Sequence, residues 1–264
     1  MTTGAAITLP GLTTKWLGRT ALHFDEIDST NTWLKARMTG DLPRGTAVLA
    51  ALQTAGKGRL GRHWQEEQDA GLALSFLLRG FPPASIPALP LAIGLAVCLA
   101  LEDVGAGQAG IKWSNDVLLA EQKICGILCE SRTGTDAVVA GIGVNLLHSR
   151  AQLDAAGLVY ATSLHLATKQ VPTPPALAAS IANRLEPILE QIQTGGFAAI
   201  RPAYCARCLT LGRQVRLLNA DGTARTGQAL TISPRGDLIC RMENGAEEAI
   251  GAGEVSVRGL YGYV

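Results

Sequence analysis

The hydrophobic positions near the start of the chain fall into short runs separated by turn and cap signals. Residues 46–52 and 72–78 are apolar and bounded by glycine or polar residues, which is typical of buried β-strands. Residues 21–27 have the pattern of an entry strand. Asp28 and Ser29 follow it with side chains suited to a helix N-cap, so the sequence predicts a strand and then a short helix.

The middle of the chain begins with its most apolar stretch and continues as short β runs. Residues 88–104 predict a helix punctuated by prolines, and the apolar run is shorter than the ~20 residues that cross a bilayer. We therefore expect a buried helix and no membrane segment. Three β runs follow, at 110–113, 123–130 and 137–146. The tight turns between them favour an antiparallel meander over parallel crossovers.

The C-terminal part combines helices with a run of turn signals. Two prolines open a predicted helix over 174–192, bent at Pro187, and a second helix is predicted over 196–208. From Leu211 short apolar runs alternate with Asp-Gly, Pro-Arg-Gly and Asn-Gly turns. That alternation predicts a small β-barrel of about five strands.

These elements predict an α+β fold with a mixed, mainly antiparallel sheet, flanking helices and a C-terminal barrel. We divide the chain into an N-terminal segment 1–20, partly flexible, a body 21–210 and a barrel 211–264.

Composition narrows the function classes. Hydrophobic residues make up 47% of the 264 residues and charged residues 17%, which is typical of a globular protein. The net charge is +1, which offers no cationic surplus for binding duplex DNA. Six cysteines without a secretion signal indicate reduced thiols in the cytoplasm. The Cys205–Cys208 pair lacks neighbouring histidines, so buried thiols are favoured over a zinc site.

Residues 56–62, Gly-Lys-Gly-Arg-Leu-Gly-Arg, alternate flexible and cationic positions. Glycines let backbone N–H groups approach an anion closely, and three cations can neutralise it. The spacing matches neither a Walker loop nor the dinucleotide fingerprint. A solvated basic hairpin tip explains this motif, taken alone, equally well.

Two further motifs follow. Residues 112–116 are Lys-Trp-Ser-Asn-Asp, and Lys123 begins the next apolar run. Alone, Asn-Asp after a strand is ordinary turn chemistry. Gly141 and Gly143 stand where a strand would carry side chains, which indicates close approach of a ligand or of another backbone, or else a β-bulge.

Taken together, the motifs resemble the biotin–protein ligase family in order and spacing, from about Leu22 to Gly259. The matching segments are 28–31, 53–62, 112–116, 123–130, 141–146 and 253–258. The resemblance implies a class II synthetase-like biotin/lipoate ligase catalytic domain over 21–210 and an SH3-like barrel over 211–264. It also implies the activity: biotin and ATP form biotinyl-5′-AMP, and a carrier-domain lysine then takes the biotinyl group.

The resemblance implies roles for individual residues. The biotin contacts would be Ser29, Thr30, Asn31, Gln53, Lys57, Gly58, Arg59, Lys123 and Gly126. The nucleotide contacts would be Arg59, Arg62, Trp64, Lys112, Asn115, Asp116 and Asn145. The catalytic cations would be Lys57, Arg59 and Lys123. Asp116 would help place Mg²⁺, and Trp64 would either stack on adenine or belong to the core.

The sequence departs from the family pattern at two positions. Many members have arginine where Lys57 stands, and lysine keeps the charge without the planar fork. Many have proline where Ser114 stands, and the serine of this chain loosens the turn before Asn115. About twenty residues precede the body, too few for the helix-turn-helix domain of some members, so we expect the enzyme-only form.

The partner implied is a biotin carboxyl carrier domain such as that of acetyl-CoA carboxylase, with no DNA and no membrane. The resemblance allows a homodimer through an edge of the catalytic sheet. Three alternatives stay open at this stage: a lipoate–protein ligase, a biotin-binding protein without activity, and a DNA-binding repressor. The intact basic loop and the predicted barrel favour the biotin ligase.

Overall fold

The computed structural model describes residues 4–61, 64, 68–219, 222–251, 256–259 and 263. Eight strands form the first sheet, in the spatial order β1-β2-β3-β4-β8-β7-β6-β5. Their bounds are β1 Ala5–Ile7, β2 Ala21–Ile27, β3 Ala47–Gln53, β4 Gly71–Leu78, β5 Ala109–Lys112, β6 Asp116–Leu119, β7 Gln122–Ser131 and β8 Val138–Asn145. Only β2 and β3 pair in parallel within this sheet, and its other described pairs are antiparallel.

Helices border this sheet, and a second sheet follows them. The α-helices are α1 Thr30–Lys35, α2 Leu89–Asp103, α3 Arg150–Ala155, α4 Leu164–Ala167, α5 Pro174–Gly195 and α6 Arg201–Cys205. Short 3-10 turns lie at Arg59–Gly61, Pro83–Ala88 and Phe197–Ala199. The second, antiparallel sheet has the order β12-β11-β10-β9-β13. Its strands are β9 Gln214–Leu218, β10 Ala224–Ile232, β11 Leu238–Met242, β12 Glu247–Ile250 and β13 Ser256–Gly259.

The predicted mixed sheet and the small C-terminal β-unit are both confirmed. The meander is confirmed too, and it contains one strand more than predicted, because β6 forms directly after the Asn115 turn. The helix predicted over 196–208 is wrong in extent. Gly196 ends α5 with φ 62°, and the chain after α6 lies alongside β5, where Ile111 bonds to Arg207 and Leu209.

Helix α2 forms the centre of the core. Its apolar residues are buried on every side, against α5 and the meander strands, so the predicted buried helix is confirmed. Among the described residues, one helical stretch, Pro83–Asp103, is long and apolar enough to cross a membrane, and 72% of its most apolar window is buried inside the protein. Burial of that kind is what a core helix requires.

Residues 4–20 pack onto the body. Strand β1 pairs with β2, and Leu9 and Leu17 are buried. The Glu186 carboxylate of α5 accepts the backbone N–H groups of Lys15, Trp16 and Leu17 at 2.6, 2.9 and 2.8 Å. The boundary predicted after residue 20 thus separates residues that pair in one sheet. The boundary near 210 stays a prediction.

Candidate active site

One pocket collects the basic loop, the start of α1 and the central strands of the first sheet. It is a partly open cleft with a cavity volume of about 60 Å³. Its walls are formed by Ser29, Thr30, Asn31, Gln53, Lys57, Gly58, Arg59, Trp64, Ala73, Leu74, Asn115, Lys123, Gly126, Ile127, Leu128, Gly141, Ile142 and Gly143.

A chain of buried hydrogen bonds forms the polar end of the pocket. The Gln53 Oε1 atom accepts the backbone N–H and the hydroxyl of Thr30, at 2.9 and 3.0 Å. Ser75 bonds to the Thr30 hydroxyl at 2.7 Å and donates to Asn31 Oδ1 at 2.7 Å. Thr30 and Asn31 are buried on the first turn of α1, which Ser29 caps. The connected bonds fix these side chains in one orientation.

The same chain continues to an ion pair on β7. The Asn31 amide donates to Glu130 Oε2 at 3.0 Å, and Lys35 contacts Glu130 Oε1 at 2.6 Å. Burial acts to raise the pKa of Glu130, but the bonds from Lys35 and Asn31 lower it below its ordinary value overall. A Cβ at Gly141 would lie 2.4 Å from Asn31 Oδ1, so the missing side chain makes room for Asn31.

Glycines on two neighbouring strands make room for Trp64. A Cβ at Gly126 would lie 2.9 Å from the indole, and a Cβ at Gly143 would lie 2.5 Å from it. The Lys123 ammonium is 5.8 Å from the centre of the ring. Trp64 therefore forms an apolar wall inside the pocket. The glycines of β8 are explained by the side chains of Asn31 and Trp64, and neither by a ligand or backbone, as predicted, nor by a β-bulge.

Cations of the basic loop donate hydrogen bonds to side chains on neighbouring elements. The Arg59 guanidinium donates from Nη1 to Ser114 Oγ at 3.0 Å and to Asn115 Oδ1 at 2.6 Å. The Lys57 ammonium donates to Thr32 Oγ1 at 3.1 Å on α1. The predicted contacts of Arg62 lie outside the described residues. The loop thus joins the first turn of α1 to the Ser-Asn turn before β6.

Asp116 and Lys123 form an ion pair beside the pocket. Asp116 Oδ1 is 2.7 Å from the Lys123 ammonium, and Oδ2 accepts the Tyr263 hydroxyl at 2.6 Å. Burial acts to raise the pKa of Asp116, but Lys123, Tyr263 and Lys112 lower it below its ordinary value overall. Asp116 is therefore ionised at neutral pH.

The residues around Asp116 do not fit a direct Mg²⁺ site. Its carboxylate oxygens already bond to protein groups, Oδ1 to Lys123 and Oδ2 to Tyr263, so an ion there would compete with those bonds. Among the residues that the structure describes, no group of three or more histidine, cysteine or carboxylate side chains could hold a metal. The two bonds of Asp116 therefore argue against the predicted role of this carboxylate in placing Mg²⁺.

The structure brings most of the predicted site residues together. All nine residues expected to contact biotin line the pocket, as do Trp64 and Asn115. Lys112, Asp116 and Asn145 do not line it. Lys112 lies over the Tyr263 ring at 3.5 Å, and the Asn145 amide donates to the Thr162 carbonyl at 3.0 Å. Of these three residues, Asp116 contacts the pocket lining through its ion pair with Lys123.

Sequence reasoning missed three polar residues of the site. Ser75 is the only polar residue within the apolar run 72–78, and that contrast was an available signal for a buried hydrogen bond. Glu130 directly follows the apolar run 124–129, one residue before the end of β7. Tyr263 has no local signal, because it meets Asp116 across 147 positions of sequence.

Comparisons with known proteins agree with this geometry. The model of the Biotin/lipoate A/B protein ligase family matches residues 23–146, and that of the Biotin protein ligase C terminal domain matches residues 210–258. The biotin--[acetyl-CoA-carboxylase] ligase of Paracoccus denitrificans is 35% identical over 237 residues, covering 86% of this chain and 96% of that protein. The one from Mycobacterium tuberculosis is 34% identical, covering 86% and 85%.

A longer relative and a solved structure extend the match. The bifunctional ligase/repressor BirA of Bacillus subtilis is 30% identical over 246 residues, which is 92% of this chain and 75% of that protein. The biotin protein ligase from Aquifex aeolicus, solved in complex with biotin and ATP, is 30% identical with a TM-score of 0.77. The match covers 90% of this chain and 98% of that one. The basic loop, the polar pocket and these relatives together place the chain in the biotin–protein ligase family.

Proposed function

We propose that this protein is an ATP-dependent ligase that activates biotin as biotinyl-5′-AMP and transfers the biotinyl group to a lysine of a carrier domain. The observation that carries the proposal is the convergence of Lys57, Arg59 and Lys123 on one pocket whose far end is a buried polar network. Relatives named as biotin ligases favour biotin over lipoate.

The first half-reaction joins two anions. The biotin carboxylate attacks the α-phosphorus of ATP, and pyrophosphate leaves. Such a step needs positioning and charge neutralisation more than a protein nucleophile. Lys123 is assigned to the carboxylate of biotin, and Lys57 and Arg59 to the reacting phosphate. Asn115, held by Arg59, is assigned to the nucleotide end.

The polar network is assigned to the ring end of biotin. The ureido group offers two N–H donors and a carbonyl acceptor, and Ser29, Thr30, Asn31 and Gln53 present matching groups at the pocket wall. Trp64 shares its wall with Gly126 of the biotin set, so we assign the indole to biotin and not to adenine. Gly58 is assigned to the same ligand through its backbone.

The second half-reaction needs a protected intermediate. The adenylate is a mixed anhydride that water would hydrolyse, so a loop that closes over it favours transfer to the carrier amine. The bonds from the loop to Thr32, Ser114 and Asn115 are contacts that such closure would use.

The partners are proposed with the same reaction. The acceptor is a biotin carboxyl carrier domain, and Mg²⁺ accompanies ATP. All six cysteines are free thiols, which suits the reducing cytoplasm, and a net charge of +1 supports no DNA-binding role. Strand β5 is bordered by residues 207–209, so a homodimer through a sheet edge would use β1.

The test incubates the purified protein with ATP, Mg²⁺ and biotin, and follows biotinyl-AMP and pyrophosphate by mass spectrometry. A parallel reaction contains lipoate in place of biotin. We expect adenylate in the reaction with biotin and none in the reaction with lipoate. After a carboxyl carrier domain is added, we expect biotinylated carrier. Biotin binding without adenylate would overturn the ligase function. Adenylate from lipoate and none from biotin would overturn the assignment of biotin as the substrate.

A further inference from the structure

Tyr263, near the C-terminal end of the chain, joins the machinery of the candidate site. Its hydroxyl donates to Asp116 Oδ2 at 2.6 Å, and its ring lies 3.5 Å beneath the Lys112 ammonium. The ring also stacks against Tyr160, with centroids 5.8 Å apart and planes at 29°. Tyr160 itself precedes a stretch bonded to β7, and its carbonyl accepts the Lys123 backbone N–H at 2.7 Å.

Through Asp116, the Tyr263 hydroxyl is connected to Lys123. Asp116 holds the Lys123 ammonium at 2.7 Å through Oδ1 while Oδ2 is bonded to Tyr263. Asp116 is buried, with 9% of its surface exposed, so the loss of any hydrogen-bond partner of its carboxylate would be energetically costly. Asp116 therefore accepts charge-assisted bonds from two different donors, and the one from Tyr263 does not depend on Lys123.

We propose that Tyr263 is a positioning residue of the ligase reaction, because its bond to Asp116 lets Lys123 turn from Asp116 to the carboxylate of the acid substrate. In this proposal Lys123 contacts two anions in turn, first Asp116 and then the carboxylate of the substrate. When Lys123 leaves Asp116, that buried carboxylate loses one hydrogen-bond partner. The phenol hydroxyl keeps Asp116 bonded during that exchange. The proposal rests on the ligase function proposed above.

The test compares Tyr263→Phe with the unmodified protein in adenylate formation. Phenylalanine keeps the ring beneath Lys112 and removes only the hydroxyl. We expect KM for biotin to rise about tenfold, the scale of one lost hydrogen bond to a charged group, with KM for ATP changing less than about twofold. Tyr160→Phe is the matched control, since it removes a neighbouring hydroxyl that does not bond to Asp116, and it should match the unmodified protein.

A double-mutant cycle separates positioning from a general effect on structure. In an Asp116→Asn background, Tyr263→Phe should have less than about twofold effect on KM for biotin, because the positioning role requires the bond between Tyr263 and the Asp116 carboxylate. If Asp116→Asn forms no adenylate, the same four proteins are compared by calorimetry of biotin binding.

Three results would overturn the positioning role: an unchanged KM for biotin in Tyr263→Phe, faster adenylation, or the same fold-change in both backgrounds. Each of these results can be distinguished from a failure of the proposed ligase function. If the ligase function were wrong, the unmodified protein itself would form no biotinyl-AMP.

Discussion

The indole of Trp64 occupies the space that a side chain at Gly143 would need, since a Cβ there would lie 2.5 Å from the Trp64 Cε2 atom. Because that contact is much shorter than van der Waals distance, Gly143→Ala must displace the indole from the pocket wall. We expect biotin to bind about tenfold more weakly, the scale of an overpacked contact costing about 1–3 kcal/mol. Calorimetry of biotin binding measures this.

Gly94 provides the control for that substitution. It lies in α2, and its added Cβ would meet Ile111 and Ile127 at 3.7 Å, an ordinary contact distance. Gly94→Ala should leave biotin affinity unchanged and slightly raise the melting temperature, because alanine favours a helix. Equal affinities of Gly143→Ala and Gly94→Ala would contradict the role given to Trp64.

The two bonds of the Arg59 guanidinium predict that charge alone is insufficient at this position. Arg59→Lys keeps the charge but cannot reproduce the planar group that contacts Ser114 and Asn115 together. We expect about a tenfold loss of kcat/KM for ATP and more biotinyl-AMP released unreacted into solution. Both are measured by quenched reactions and mass spectrometry. Arg44→Lys, at a cation that lies over Trp16, is the control and should leave both values unchanged.

The fully buried Ser75 hydroxyl joins Thr30 to Asn31, so its removal should affect both stability and binding. Ser75→Ala leaves two buried polar groups each short of a partner, and we expect the free energy of unfolding to fall by about 1–3 kcal/mol. Biotin should also bind more weakly. Urea denaturation and calorimetry measure the two effects. Ser85→Ala, at a buried serine outside the pocket, should change neither by a comparable amount.

The Glu186 carboxylate predicts a pH-dependent stability. Burial acts to raise its pKa, but three backbone N–H bonds lower it below its ordinary value overall. The unfolded chain then binds a proton more readily, with a pKa of about 4.3, so this contribution is present above that pH and is lost as the pH falls through the folded-state pKa. Urea denaturation at several pH values should show that acid loss diminished in Glu186→Gln. If the free energy of unfolding fell equally steeply with decreasing pH in both proteins, this role of Glu186 would be contradicted.

The strands and the buried helix could be predicted because their signals are local. A run of apolar residues such as 72–78 must be buried wherever it lies, and α2 is apolar on all sides. The helix predicted over 196–208 was too long, because the bonds from Arg207 and Leu209 to Ile111 override the local preference. Short tertiary bonds of this kind leave no periodic pattern in the sequence.

The pocket residues could be predicted because the basic loop, the Asn115 turn and the glycines of β8 follow one another in an order that resembles one family, whereas each motif alone left an ordinary structural explanation open. The sequence by itself determined which cations, amides and glycines are present, and their order matched one family. Only the tertiary structure decided which groups meet: Asp116 with Lys123 and Tyr263, and Glu186 with Trp16, 170 positions away. The reason is physical, since a side chain's chemistry is a local property, whereas its partner is selected by the packing of distant segments around a shared core.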